Sequence, residues 1–198
     1  DEWIVRDQGA MVRQIGYSPE EFAMITIEKE GGFNNAKEVL NKLDLKPSNY
    51  HPTAVKTNSA GEKYSKILNK IFTNEYDFKD YDRATNIYWP GNKLGHGRED
   101  VIKLWNSLKN ILSEKKFKIE HVGYLDEPNR NPRASIRWSL EGVHSEDSKD
   151  YGKKTNSSLT IIGINHAELN SNGVTKEWVL FDEVAIWKQI LMNKNKNG

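Results

Sequence analysis

The spacing of apolar positions changes once along the chain, from a helical period to a strand period, and the change divides it into two halves. In the first half Tyr64, Ile67, Leu68, Ile71 and Phe72 recur at i, i+3, i+4, i+7 and i+8, which predicts an amphipathic helix. Val101, Leu104, Trp105, Leu108 and Leu112 form a second such face, in a helix opened by Gly97. Upstream, Ser18-Pro19-Glu20-Glu21 has an N-cap residue, proline at the first helical position and acids in the first turn. The helix that it starts runs through Phe22, Ile25 and Ile27 and stops at Gly31-Gly32. Val39, Leu40 and Leu43 predict a short helix over 35–43. Pro47, Ser48, Asn49, Pro52, Asn58 and Ser59 mark 46–60 as loop, and Tyr81 to Tyr88 leads into a turn at Pro90-Gly91. From Phe117 the period is two. Phe117, Ile119, His121, Gly123 and Leu125 alternate with polar neighbours, and so do Ala134, Ile136, Trp138, Leu140, Gly142 and His144. Ser158 to Leu169 reads as a long strand, Asn170-Ser171-Asn172-Gly173 as a hairpin turn, and Val174 to Asp182 as the final strand. Helices first and a run of strands afterwards predict an α+β domain, one curved sheet wrapped on helices.

A second pattern is superimposed on the first. Residues 2–15, EWIVRDQGAMVRQI, and residues 177–190, EWVLFDEVAIWKQI, match at Glu2/Glu177, Trp3/Trp178, Asp7/Asp182, Ala10/Ala185, Gln14/Gln189 and Ile15/Ile190. Self-similarity at so long an offset marks a repeated domain rather than a solenoid turn. On this reading residues 2–8 are a strand, with Trp3 and Val5 opposite Ile4 and Arg6. The expected organisation is the closing segment of a preceding similar domain over 1–16, a helical linker and loop over 17–60, a domain over 61–192 and a disordered tail over 193–198. The chain then reads as the C-terminal part of a tandem protein.

Composition narrows the chemistry. The 198 residues carry 29 basic and 28 acidic side chains, a net charge of +1, which gives no electrostatic reason to expect nucleic acid or an anionic membrane as partner. There is no cysteine, so disulfides and thiolate chemistry are excluded. No apolar run reaches the roughly 18 residues that a membrane-spanning helix needs. No signal peptide is visible, and a cytoplasmic location is the default expectation. The five histidines show no HxH or HExxH spacing, so neither a metal nor a cofactor is expected.

The order of motifs resembles the SnoaL-like polyketide (ester) cyclases of the nuclear transport factor 2-like superfamily. The residues that carry the resemblance are Gly95-His96-Gly97, Arg137-Trp138-Ser139-Leu140-Glu141-Gly142-Val143-His144, Gly163-Ile164-Asn165-His166, and Asn172-Gly173 before Glu177-Trp178 and Asp182. It covers residues 61–192 and implies a cone-shaped, curved antiparallel sheet wrapped on two to three helices. It further implies that Asp182 is an acid/base in an intramolecular aldol closure, and that sheets pair face to face in a homodimer or against the preceding domain copy. One face of each strand points into such a cone. Trp178, Leu180 and Asp182 share a face, as do Ile162, Ile164 and His166, and Ile136, Trp138, Leu140 and His144. With these faces inward, Asp182 and His166 are the candidate catalytic pair. Trp89, Trp105, His121, Trp138, His144, Ile164, Trp178 and Leu180 are then the candidate ligand pocket. Each has a structural alternative: Asp182 stands where an aspartate caps a helical turn, His166 and His144 suit a sheet, and the tryptophans suit a core. Two functions follow. One is a cofactor-independent acid/base enzyme, of cyclase, isomerase or hydratase type, acting on a mostly apolar carbonyl compound. The other is a non-catalytic ligand-binding or dimerisation domain whose cavity is filled by its own Trp and Phe side chains. An open pocket facing Asp182 favours the first; a closed core, with Asp182 bonded to backbone N–H groups, favours the second.

Overall fold

The computed structural model describes residues 4–42 and 59–194. Three helices come first: α1 (Gln8–Gln14), α2 (Pro19–Lys29) and α3 (Phe33–Lys42). The start of α2 is the reciprocal cap that its sequence encodes: Ser18 Oγ accepts from Glu21 N–H while the Glu21 carboxylate accepts from Ser18 N–H. Helix α4 (Ser59–Thr73), strands β1 (Tyr81–Trp89) and β2 (Lys93–His96), and helix α5 (Gly97–Lys109) follow. Strands β3 (Leu112–Leu125), β4 (Arg133–His144), β5 (Ser158–Asn170) and β6 (Gly173–Phe181) lead to helix α6 (Glu183–Lys194). Two expectations are corrected. Residues 4–7 are not a strand, and the chain is helical from Gln8; residues 2 and 3 lie outside the described residues. Asn193 and Lys194 belong to α6 rather than to a disordered tail. Ser59 and Ala60 already belong to α4, and the rest of the expected loop, through residue 58, has only residues outside the description.

The six strands form one unclosed sheet in the order β2-β1-β6-β5-β4-β3. Every join is antiparallel except β1 with β6, so the sheet carries one parallel pair. Bulges between Ser113 and Lys116 and between Ile119 and His121 bend β3, and Glu114 takes φ 49° at the first of them. The β5–β6 hairpin turns at Gly173, where φ is 118° and a Cβ would stand 2.5 Å from the Asp80 carbonyl oxygen. Helices α4 and α5 pack on the inner face of the curved sheet, with Tyr64, Leu68, Trp105 and Leu108 buried against Ile136, Trp138, Leu140, Ile161 and Phe181.

Helix α6 closes the end of the sheet. Because β6 stops at Phe181 opposite Gly163, the first residues of β5 lack a strand on that side. Gln189 takes its place: Thr160 N–H donates to Gln189 Oε1 (2.8 Å) and Gln189 Nε2 donates to Thr160 O (3.0 Å). Helices α1 and α2 then lock onto α6 through Arg13–Glu183 and Lys188–Glu30 ion pairs, each 2.6 Å. No helix among the described residues is long and apolar enough to cross a membrane.

Candidate functional site

The interior of the cone is built around a carboxylate that the apolar pattern passed over. On β6 the inward residues are Glu177, Val179 and Phe181, and on β5 they are Ile161, Gly163, Asn165 and Ala167. Glu177 is fully buried and accepts four hydrogen bonds, all from uncharged donors. Tyr64 Oη (2.6 Å) and Asn165 Nδ2 (3.1 Å) donate to Oε1; Tyr81 Oη (3.0 Å) and Trp105 Nε1 (3.5 Å) donate to Oε2. Asn165 Nδ2 also donates to Tyr64 Oη (2.8 Å), and Asn165 Oδ1 accepts from Trp138 Nε1 (2.7 Å). Burial pushes the Glu177 carboxyl above its ordinary range, and the four donors pull it partly back. Burial, and then the Glu177 charge, hold Tyr64 and Tyr81 well above the usual phenol range, so both remain neutral donors.

Aromatic rings occupy the space beside this cluster. Trp89 meets Trp105 edge to face at 5.1 Å and Phe181 at 5.4 Å, and Phe72 stacks on Phe117 at 4.0 Å. Trp138 lies between Trp105 and Phe181 at 6.1 and 6.3 Å. Its indole fills the place of a side chain on the facing strand: a Cβ at Gly163 would overlap Cζ2 and Cε2 and stand 2.7 Å from Cη2. Trp89, Trp105 and Trp138 thus meet in the interior, as expected of pocket residues, but as core, between 0% and 3% exposed.

The remaining expected residues lie elsewhere. Ile164, His166, Trp178 and Leu180 face outward, the reverse of the expected phase, because both faces of β5 and β6 carry apolar residues and Glu177 with Asn165 takes the inner one. They line an open groove of about 860 Å³ on the outer face of the sheet, where Tyr88 also stacks on Trp178 at 5.4 Å. His121 pairs with Arg137 across β3 and β4, on that same outer face. His144 is buried at the end of β4 with Nδ1 3.1 Å from Thr155 Oγ1, and burial lowers its pKa.

Asp182 is outside the cone as well. It caps α6, with Oδ1 accepting from Val184 N–H (2.8 Å) and Ala185 N–H (3.2 Å). Asp7 caps α1 in the same way, accepting from Ala10 N–H at 2.8 Å, so the repeated motif places its aspartate directly before a helix in both copies. Asp182 lines a cavity of about 430 Å³ between α6, the outer side of β4 and β5, and the segment Ile4–Arg6. Burial raises its pKa, the two backbone bonds oppose this, and Asp7 and Glu183 add to it. His166 lines the groove and Asp182 the cavity, so the expected catalytic pair is not assembled at one site. No group of three or more His, Asp or Glu side chains among the described residues is placed to hold a metal ion. Sequence reasoning missed Glu177, Asn165, Tyr64 and Tyr81 as one unit. The available signal was Glu177 itself, a charged residue identical in both copies and on the same strand parity as Val179 and Phe181.

No family model and no curated protein matches the chain at the level of sequence. Solved structures do match. A proposed SnoaL-like polyketide cyclase from Shewanella putrefaciens CN-32 superposes with a TM-score of 0.53 at 14% identity, covering 69% of this chain and 88% of that one. A proposed polyketide cyclase from Acidithiobacillus ferrooxidans gives 0.53 at 14% identity, over 70% of this chain and 99% of that one. IdmH, a proposed polyketide cyclase from Streptomyces antibioticus, gives 0.52 at 11% identity, over 67% and 99%. Identities this low speak for fold and not for chemistry. The unclosed six-stranded sheet, the helices on its inner face and these superpositions give the chain the α+β cone of the nuclear transport factor 2-like fold, in the form found in SnoaL-like polyketide cyclases.

Proposed function

We propose that this chain is a binding domain whose cone is filled by its own side chains, rather than an acid/base catalyst of the cyclase type. The observation that carries the proposal is the saturation of Glu177. An acid/base carboxylate has to touch its substrate and exchange a proton with it. Both Glu177 oxygens are instead taken by protein donors, and the buried rings of Trp105 and Trp138 pack against the same cluster. Asp182 gives one sign of each reading: it spends Oδ1 on the backbone of α6, as a cap does, but it also lines a cavity, which lies outside the cone and apart from His166. Ligands are then met outside the cone, on the outer face of the sheet and beside α6.

Glu177→Gln tests this. Each carboxylate oxygen faces one N–H that cannot act as an acceptor, Asn165 Nδ2 on one side and Trp105 Nε1 on the other. Either orientation of a glutamine therefore sets its NH₂ against a donor, and the variant should lose about 1–3 kcal/mol of stability. A carboxylate poised for catalysis is a stability liability whose removal is neutral or stabilising. A Glu177→Gln protein that melts at or above the parent temperature would refute the structural role.

A further inference from the structure

We propose that the cavity beside Asp182 is a binding site for an uncharged, mainly apolar molecule bearing a hydroxyl group, which donates to Asp182 Oδ2. The inference rests on the binding-domain reading and gives it a place and a ligand class. The size is right: pockets for small molecules run from roughly 300 to 1,000 Å³, and this one holds about 430 Å³. An engineered apolar cavity of about 150 Å³ takes up benzene, so about two or three rings, or a chain of similar bulk, fit here.

The lining sets the chemistry. Ile4, Val5, Ile162, Ile186 and Met192 make most of the wall apolar. Asp182 offers the acceptor: both of its backbone bonds fall on Oδ1, and Oδ2 accepts no hydrogen bond among the described residues. Charged heads are disfavoured in both senses. Arg137 and Lys188 on the lining are already paired, with Glu120 at 2.9 Å and with Glu30 at 2.6 Å, so neither weighs much on a charged head. Arg6 and Asp182 decide: an ammonium drawn to Asp182 meets the Arg6 guanidinium, and a carboxylate drawn to Arg6 meets Asp182. A neutral donor remains as the head group that meets the acceptor without opposing a charge. Asp182 is itself half-buried where it lines the cavity, and burial is the first cause of the upward shift of its carboxyl.

Titration calorimetry of the whole chain with decanol, decyl methyl ether, decylamine and decanoate separates the terms, because the four probes share a chain and differ at the head. Decanol should bind at least ten-fold tighter than the ether, which has no proton to donate, and than either charged probe. Ala185→Trp places an indole at the wall from an exposed position on α6 and should abolish binding at an unchanged melting temperature; Ile162→Trp repeats the test from the sheet. No decanol binding, equal binding of all four probes, or binding by both variants as tight as by the parent overturns the site. Any of these results alongside a destabilised Glu177→Gln leaves the filled cone standing. Decanol that binds both variants like the parent, together with a Glu177→Gln protein no less stable than the parent, overturns both readings.

Discussion

Gly163→Ala is the smallest change that tests whether the cone is filled. Gly163 pairs with Trp138 in the β4–β5 register, and the indole lies directly over its Cα. A methyl group there overlaps the ring, so the ring must move. It is held by Trp105, Phe117 and Phe181, with centroids 6.1, 6.0 and 6.3 Å away, and by its hydrogen bond to Asn165. Overpacking a core of this kind costs about 1–3 kcal/mol. Shifting the indole also breaks the 2.7 Å bond to Asn165 Oδ1. A buried acceptor left unsatisfied costs a further 1–3 kcal/mol or so. Gly163→Ala should therefore lower stability by about 2–6 kcal/mol, measured by urea unfolding followed by tryptophan fluorescence. Trp138→Phe removes the part of the ring that the methyl group meets. The double variant should be more stable than the sum of the single effects predicts, by about 1 kcal/mol or more. A Gly163→Ala protein within about 0.5 kcal/mol of the parent, or a double variant with purely additive effects, would show that Trp138 does not occupy the interior as described.

Three other measurements bear on the same structure. Glu177 has a folded-state pKa raised above its unfolded value of 4.5, so its contribution is fully present below that value and is lost as pH rises through the folded one. The melting-temperature advantage of the parent over Glu177→Gln should accordingly shrink from acidic to neutral pH; an advantage that grows with pH would reverse the sign assigned to burial. Lys109, buried and paired with no carboxylate among the described residues, donates to Ile71 O (2.8 Å) and Asn74 Oδ1 (2.6 Å) at the end of α4. Lys109→Met should cost about 1–3 kcal/mol by stranding that carbonyl, and a neutral result in chemical denaturation would mean that water serves it equally well. The outer face exposes Tyr88, Ile162 and Trp178. If that face pairs two copies, sedimentation should find a dimer that Trp178→Glu converts to monomer, whereas a parent that is monomeric at high concentration removes the pairing.

The legible parts of this chain are those whose signals are local. Ser18-Pro19 starts a helix because a hydroxyl, a fixed φ and a carboxylate three residues on satisfy the first N–H groups without help from the rest of the fold. The change of period from 3.6 to 2 likewise survives into the structure, with α5 on one side of it and β3 on the other. The phase of β5 and β6 was not legible. Ile162 and Ile164 are as apolar as Leu159 and Ile161, and Trp178 and Leu180 as apolar as Val179 and Phe181, so alternation alone names no inner face. What decides it is a long-range fit, with Trp138 over Gly163 and four donors from α4, β1, α5 and β5 closing on Glu177. Tyr64, Tyr81 and Trp105 lie 113, 96 and 72 residues from Glu177 in sequence, and only Asn165, 12 residues away, shares its hairpin.

The repeated motif shows the same division within one stretch of sequence. Glu177 to Phe181 is a strand because β1 and β5 lie on either side to take its backbone hydrogen bonds. Ile4 to Arg6, with nearly the same pattern, has no such neighbours among the described residues and is not a strand. The second half of the motif needs no neighbour. Asp7 and Asp182 each accept hydrogen bonds from the N–H groups just downstream, and a helix begins at the following residue in both copies. The aspartate that looked most like a catalyst is therefore accounted for twice over by one local rule. The proposed binding role of this aspartate rests on the oxygen that the rule leaves over, Asp182 Oδ2 on the wall of its cavity.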